Sequence, residues 1–311
     1  MRDQTVRDDV LGVQSNRDSI GVYSSTARML QERDTILSDL AANFAALNRR
    51  RLFLYSIDVP VEQVFGYREL PVAELKSISE SLYQMTYLEP RLTAEFVHCD
   101  RFLQQAHLSE TEMVNIFKNY DVTRQAIEEP FVTYKFGFLQ RNCWVMLNRR
   151  YIDLNNTQKY FDDGTMDGLT LDHETAGKLF VPSLRNAMEN VGARMQKHGI
   201  TETEMIALSG VALYNPDVDG LSNATREKLF AARGQISRSL IDYYSSNSEP
   251  EPEVKLGTLY LDVYTFSTVH AIKTAENMHI LDVFNIVPSL HERATRRRPK
   301  TNAAAGNVRR P

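Results

Sequence analysis

Apolar residues recur through most of this chain at intervals of three and four, the spacing that lines one face of an α-helix. Between residues 23 and 53 they are Leu30, Ile36, Leu40, Phe44 and Leu47. A loop with Pro60, Gly66 and Pro71 separates this helix from a run over about 72–106, in which Pro90 predicts a kink or break. Ser109 opens SETEMVNIFK, with Glu112 at capping-box distance and Met113, Ile116, Phe117 and Tyr120 on one face. After Gly137 the period fails: NCWVMLNRRYIDLN mixes Val145, Leu147, Tyr151 and Ile152 with Asn and Arg, which predicts a short β-hairpin. Helical spacing resumes over about 172–198 and stops at Gly199. Thr201 and Glu204 repeat the capping-box spacing before EMIALSGVALY, and a helix over about 223–245 carries Leu229, Ile236, Leu240 and Tyr244. Beyond the polar, proline-rich SSNSEPEPE, a long helix over about 254–284 aligns Leu256, Leu259, Tyr260 and Val263, and NIVP leads to a short amphipathic piece, SLHERA. Residues 1–20 have no sustained period and read as an arm. The pattern therefore gives about ten helices, one small hairpin and no internal repeat, an all-α globule of layered helices.

The stretch NPDVDGLSNATRE, residues 215–227, imitates a calcium loop, with Asn215, Asp217 and Asp219 at alternate positions and Gly220 next. Position twelve, which needs a bidentate glutamate, is Arg226, and a guanidinium there repels a divalent cation. A helix-to-helix corner accounts for the same residues. Asn215 and Pro216 end one helix, Asp219-Gly220 turns the chain, and Ser222 or Asn223 caps the next.

Composition adds that the body and the tail differ in charge. The net of −4 combines seven basic residues against Glu292 in residues 291–311 with about −10 on the rest. Two cysteines, Cys99 and Cys143, are too few for a disulfide framework or a thiolate zinc site, and they favour a reducing compartment. No apolar run approaches the roughly 18 residues needed to span a bilayer, so no membrane role is expected.

Nothing in the chain assembles the parts of an enzyme. His98, Cys99 and Asp100 are consecutive, so on a helix they point about 100° apart and cannot converge on one substrate. His173, in LDHETAGK, lacks a second histidine four residues on, no glycine-rich phosphate loop occurs, and no metal or other cofactor is implied. The adjacent Glu128 and Glu129 are accounted for by a solvated helix face. The one strong charge cluster is RRRPK, with Arg296, Arg297, Arg298 and Lys300, a candidate nuclear-localisation or polyanion-binding run.

The order of these segments resembles the ligand-binding domain of nuclear hormone receptors, in particular the divergent branch expanded in nematodes. The family's eighth-helix pattern and the turn after it are matched by Glu204, Ala207, Leu208, Leu213, Tyr214, Asn215, Pro216, Asp217, Gly220, Leu221 and Arg226. Its junction between third and fourth helices is similar to HLSETEMVNIFK through Leu108, Glu112, Ile116, Phe117 and Lys118, with Gln105 where a phenylalanine is usual. VLGVQSNRDSIG resembles the segment after the second zinc finger of these receptors.

The resemblance implies a three-layer antiparallel helical sandwich of about ten to twelve helices with a small β-hairpin. It divides the chain into an arm over 1–21 following an absent zinc-finger domain, a ligand-binding domain over 22–295 and a basic disordered tail over 296–311. It further implies a pocket for a small lipophilic ligand around Phe96, Cys99, Phe131, Tyr134 and Thr268, or an orphan version with that space filled. A groove for coregulator helices is implied at Lys118, with Arg101 beside the customary lysine position, here Asp100, and with Leu290 and Glu292 on the last helix. Ser289, Arg293 and Ala294 depart from that last-helix motif and remove apolar contacts. Glu204 and Arg226 become candidates for a structural ion pair. The expected protein is a nuclear transcriptional regulator that forms homo- or heterodimers through the helix over about 254–284. The alternative is an interaction subunit that modulates a partner receptor without DNA contact of its own.

Overall fold

The structure is a computed structural model and describes residues 35–76, 81, 84–160 and 173–283. The arm over 1–21, the last-helix residues Leu290 and Glu292, and the basic run Arg296, Arg297, Arg298 and Lys300 lie outside the described residues.

Helix α1 (Ile36–Tyr55) begins at a capping box made by Thr35 and Ser38, and buries the expected face of Leu40, Phe44 and Leu47. After the short α2 (Val61–Val64) and strand β1 (Ala73–Glu74), the chain enters a π-helical turn, Gln84–Leu88, that runs into α3 (Glu89–His98). Pro90 stands in the first turn of α3. It cannot donate to the carbonyl of Thr86, so the expected kink takes the form of a widened turn followed by a fresh helix. Asp100 caps α4 (Arg101–Gln105), and the Ser109–Glu112 capping box opens α5 (Glu110–Lys135), the longest uninterrupted helix described.

The hairpin forms as expected: β2 (Cys143–Val145) pairs antiparallel with β3 (Arg150–Asp153), setting Trp144 opposite Ile152. β1 joins β3 in parallel through Ala73 and Arg150, a third strand that two residues are too short to announce in sequence. Helix α6 (His173–Ala187) continues through a π turn, Met188–Gly192, into α7 (Ala193–Lys197), and Gly199 ends it at φ +60°. Next come α8 (Glu202–Leu213), α9 (Asn223–Ser246) and α10 (Pro252–Thr258), the last running through a π turn, Leu259–Tyr264, into α11 (Thr265–Val283). With α6–α7 and α10–α11 each taken as one continuous rod, nine helices are described, slightly fewer than the ten to twelve expected.

α5 and α8 lie side by side at the centre of the sandwich. α1 and α3 pack on one side of this pair and α11 on α5 from another, while α9 bridges α8, α10 and α1. Every residue of α8 from Thr203 to Leu213 is buried, which is why that segment shows no polar face. Gly210 sets the closeness of the layers, because a Cβ there would stand 2.5 Å from Leu40 Cδ1 and 2.8 Å from Ile236 Cδ1. The main core runs through these helices, and a second, smaller one gathers around Trp144, with Leu75, Met146, Tyr160, Ala187 and Met188. None of the described helices is long and apolar enough to cross a membrane.

Candidate functional site

The acidic corner between α8 and α9 is closed by its own side chains. Asn215 Oδ1 accepts from the Asp217 amide at 3.2 Å, and Gly220 turns the chain at φ +77°. The Arg226 guanidinium, at the position where a calcium loop needs its bidentate glutamate, donates to the carbonyls of Pro216 and Val218 and closes the corner. The expected Glu204–Arg226 ion pair therefore does not form. Glu204 is fully buried and accepts instead from the Thr201 amide at 2.7 Å and from the Tyr244 hydroxyl at 2.8 Å. The corner is anchored from across the fold by Glu112, whose carboxylate takes the amides of both Ser109 and Ser222 at 3.0 Å. These backbone donors hold its pKa well below the ordinary carboxylate value.

A four-charge lattice lies between α1, α3 and α5. Arg51 Nε donates to Glu89 Oε1 at 3.0 Å and its Nη2 to Glu128 Oε2 at 3.0 Å. Arg124 bridges the same two carboxylates at 2.9 and 2.7 Å and reaches Thr93 Oγ1 at 2.7 Å. Tyr55 adds its hydroxyl to Glu89 Oε2 at 2.7 Å. Burial alone would raise both carboxyls, but the two guanidiniums overcome it and hold Glu89 and Glu128 low and ionised. Glu128 is thus no member of a solvated face. The signal was present in the spacing: Ile116, Tyr120, Arg124, Ile127 and Phe131 share the buried face of α5, so a charge among them had to be paired.

Its neighbour Glu129 is also turned inward. The Trp144 indole N–H donates to Glu129 Oε2 at 3.3 Å, and the Trp144 ring meets the His270 ring of α11 edge to face, with centroids 6.3 Å apart. His270 is 5% exposed and its Nδ1 has no hydrogen-bond partner. Burial pushes Glu129 up to about 8, with the Glu128 and Glu89 carboxylates adding to it, and pushes His270 down to about 4, with Lys273 adding to that. Burial thus favours the uncharged form of each beside the Trp144 ring. Sequence reasoning missed all three residues. The usable hint was Trp144, the single tryptophan of the chain, in a hairpin with apolar neighbours.

None of the five expected pocket residues lines the groove that the structure shows. Phe96 packs edge to face on Phe44 (5.0 Å between centroids) and stacks on Tyr120 at 5.7 Å. Phe131 lies eleven residues beyond Tyr120 on α5, about 16 Å along the axis at ~1.5 Å per residue. Cys99 is exposed at the end of α3, because it caps the helix rather than facing the core. Tyr134 is half-buried against Phe131, and Thr268 donates back to the Thr265 carbonyl. An open groove of about 290 Å³ lies elsewhere, between the turn after α5 and the α6–α7 rod, lined by Leu139, Asn142, Arg185, Met188 and Gln196.

At the expected coregulator groove, Lys118 is exposed on α5 and Arg101 is exposed at the start of α4, facing Asp39 at 3.5 Å. Asp100, at the customary lysine position, is 2% exposed and committed to the fold. It accepts from the Leu103 amide and from the Tyr214 hydroxyl, both at 2.8 Å.

Residues 79–284 match the family model described as the ligand-binding domain of nuclear hormone receptor. The chain is 25% identical over 261 residues to the high zinc activated nuclear receptor protein of Caenorhabditis elegans, an alignment covering 81% of this chain and 61% of that protein. It is 22% identical over 179 residues to nuclear hormone receptor family member nhr-80 of the same organism, covering 58% of this chain and 34% of that one. The chain thus spans about three fifths of the length of the first relative and about a third of the second. Among solved structures, the Ultraspiracle ligand binding domain from Drosophila melanogaster shares the fold, with a TM-score of 0.53 at 12% identity over 70% of this chain and 79% of that one.

Proposed function

The chain belongs to the family of nuclear hormone receptor ligand-binding domains, and from that premise we propose that it takes a small lipophilic guest into the second core and acts in the nucleus as the regulatory part of a transcription regulator. The observation that carries this reading is the unpartnered Nδ1 of the buried His270, whose ring on α11 packs against Trp144 of the second core. A buried polar atom left unsatisfied costs about 1–3 kcal/mol, which a guest would recover. Occupancy would be relayed through α11, whose inner face carries Ser267, His270 and Ala271. The name of one relative mentions zinc, but among the described residues no group of three His, Cys, Asp or Glu could hold a metal, so zinc forms no part of the reading. The coregulator groove would keep Lys118 and Arg101 as its cations, with Leu290 and Glu292 supplied by the last helix. The test is mass spectrometry of small molecules extracted from the purified protein, followed by thermal unfolding with and without them. A protein that carries nothing, and whose melting temperature no lipid raises, would end the ligand reading and leave the orphan version.

A second reading is favoured by the outer face of the α10–α11 rod. Leu261 is 76% exposed and Ile272 61% exposed, with Val269 between them. Such a face suits a dimerising subunit that modulates a partner receptor.

A further inference from the structure

The link between α9 and α10, residues 247–251, holds a serine that packing does not account for. Ser248 stands one position past the cap of α9 at φ +59°, the left-handed conformation that ends helices and usually falls to glycine. Its amide donates to the Ser245 carbonyl at 3.2 Å, and the Glu249 amide donates to the Tyr244 carbonyl at 3.0 Å. The backbone thus closes the helix without help from the serine side chain. That side chain is exposed, and its hydroxyl bonds to no described residue. Ser246 differs, since its hydroxyl donates to the Asp242 carbonyl at 2.7 Å within the last turn of α9.

The chain after Ser248 is acidic, with Glu249, Glu251 and Glu253 one, three and five residues on and the last two exposed. Residues 243–247, before it, carry no charge. A kinase with a basic cleft grips carboxylates placed in this way, and the left-handed serine weakens the turn that such an enzyme has to open. A phosphate here would also be felt inside the fold. Glu249 accepts from Lys255 Nζ at 2.9 Å, and the same ammonium lies 3.9 Å from Glu204 Oε1 and 5.3 Å from the centre of the Tyr244 ring. Glu204 is the fully buried carboxylate of the α8 capping box, so Lys255 joins the surface link to the core. A phosphate on Ser248 adds about −2 of charge and three acceptor oxygens beside Glu249, and competes for that cation.

We propose that Ser248 is a phosphorylation site for a kinase that recognises carboxylates after its acceptor, and that Lys255 carries the effect of the phosphate to the cap of α8. The Ser248 hydroxyl oxygen attacks the γ-phosphorus of ATP, the bond from that phosphorus to the bridging oxygen breaks, and ADP leaves. The hydroxyl proton passes to the base of the kinase. This site stands whether or not a guest occupies the second core.

The full chain is incubated with magnesium ATP and a serine kinase selective for a carboxylate three residues after the acceptor, and the phosphate is located by mass spectrometry of peptides. It should fall on Ser248. Ser248→Gly, which suits the same left-handed turn and so keeps the fold, should take up none. Glu251→Gln should slow incorporation by at least about tenfold. Phosphorylation should lower the melting temperature of the parent by about 2–4 °C, and that of Lys255→Gln by less than half as much. Phosphate on Ser245 or Ser246 instead of Ser248, a rate indifferent to Glu251→Gln, or no incorporation overturns the site. A melting temperature that phosphorylation leaves unchanged, or lowers equally in the parent and in Lys255→Gln, overturns the relay through Lys255 and leaves Ser248 as the acceptor.

Discussion

Tyr214, at the end of α8, donates its hydroxyl to Asp100 at 2.8 Å and so ties that helix to the cap of α4. Both residues are buried, and the edge of Phe102 packs on the Tyr214 ring at 5.0 Å. An aspartate where the family's activation groove usually has a lysine is therefore a structural member here. Asp100→Ala should cost about 2 kcal/mol through the lost cap and the orphaned hydroxyl, and Tyr214→Phe about 1 kcal/mol. Both are read from urea unfolding. The pH dependence follows from burial, which pushes Asp100 up to about 6. The native chain then holds a proton that the unfolded chain releases between roughly pH 4 and 6, so this contribution is present at low pH and is lost as the pH rises through 6. Asp100→Asn removes the titration; its Oδ1 can still accept from the Leu103 amide, and its Nδ2–H can donate to the Tyr214 hydroxyl oxygen in place of the second bond. Its stability relative to the parent should rise by about 1–3 kcal/mol between about pH 4 and pH 7. A difference that stays flat with pH would mean that Asp100 is already ionised in the native protein at pH 4.

The lattice of Arg51, Glu89, Arg124 and Glu128 fixes the relative placement of α1, α3 and α5. Removing one member strands its partners without water. Arg124→Met should destabilise the chain by about 3–5 kcal/mol, more than the size of the side chain would suggest. Adding Glu128→Leu to Arg124→Met should return part of that loss, since the second change removes one of the stranded charges. A double-mutant cycle by urea unfolding checks this. Strictly additive losses would show that the four groups do not act as a unit.

Glu204 and Arg226 face different partners, so a second cycle separates the observed corner from the expected ion pair. Glu204→Gln with Arg226→Ala should show a coupling below about 0.5 kcal/mol, whereas Glu204→Gln with Tyr244→Phe should couple by about 1 kcal/mol or more. Strong coupling in the first pair would restore the ion pair.

Much of the fold was legible because its signals are local. The Ser109–Glu112 and Thr201–Glu204 boxes, the stop at Gly199 and the face of Leu229, Ile236, Leu240 and Tyr244 each depend on residues within a few positions of one another. The strand β1 and the site were not legible, for a different reason. Ala73 and Glu74 become a strand only because Arg150 and Tyr151 lie beside them. Glu128 and Glu129 differ by one position, yet one meets two guanidiniums and the other an indole brought by the hairpin. Spacing along α5 could place Arg124 on an inward face, but not say that Arg51 and Glu89 would meet it. The surroundings of the pocket residues were not legible for the same reason. Phe96 suits a cavity wall or a packed core equally well, and the Phe44 and Tyr120 rings settle it as core.

The outer face of α10–α11 supplies the remaining prediction. Leu261, in the Leu259–Tyr264 π turn, and Val269 and Ile272, on α11, are all exposed apolar side chains of this rod. Covering such side chains contributes about 1.5–3 kcal/mol each when burial is complete. A second copy of the rod would bring the same apolar side chains to meet these. Sedimentation velocity over a concentration series should show self-association that Leu261→Glu and Ile272→Glu weaken by about tenfold or more each, without loss of helical circular dichroism. If the chain is monomeric throughout, the same two variants should instead lower its affinity for a nuclear receptor partner presented in trans. Variants that alter neither measurement would show that the apolar face is not an interface.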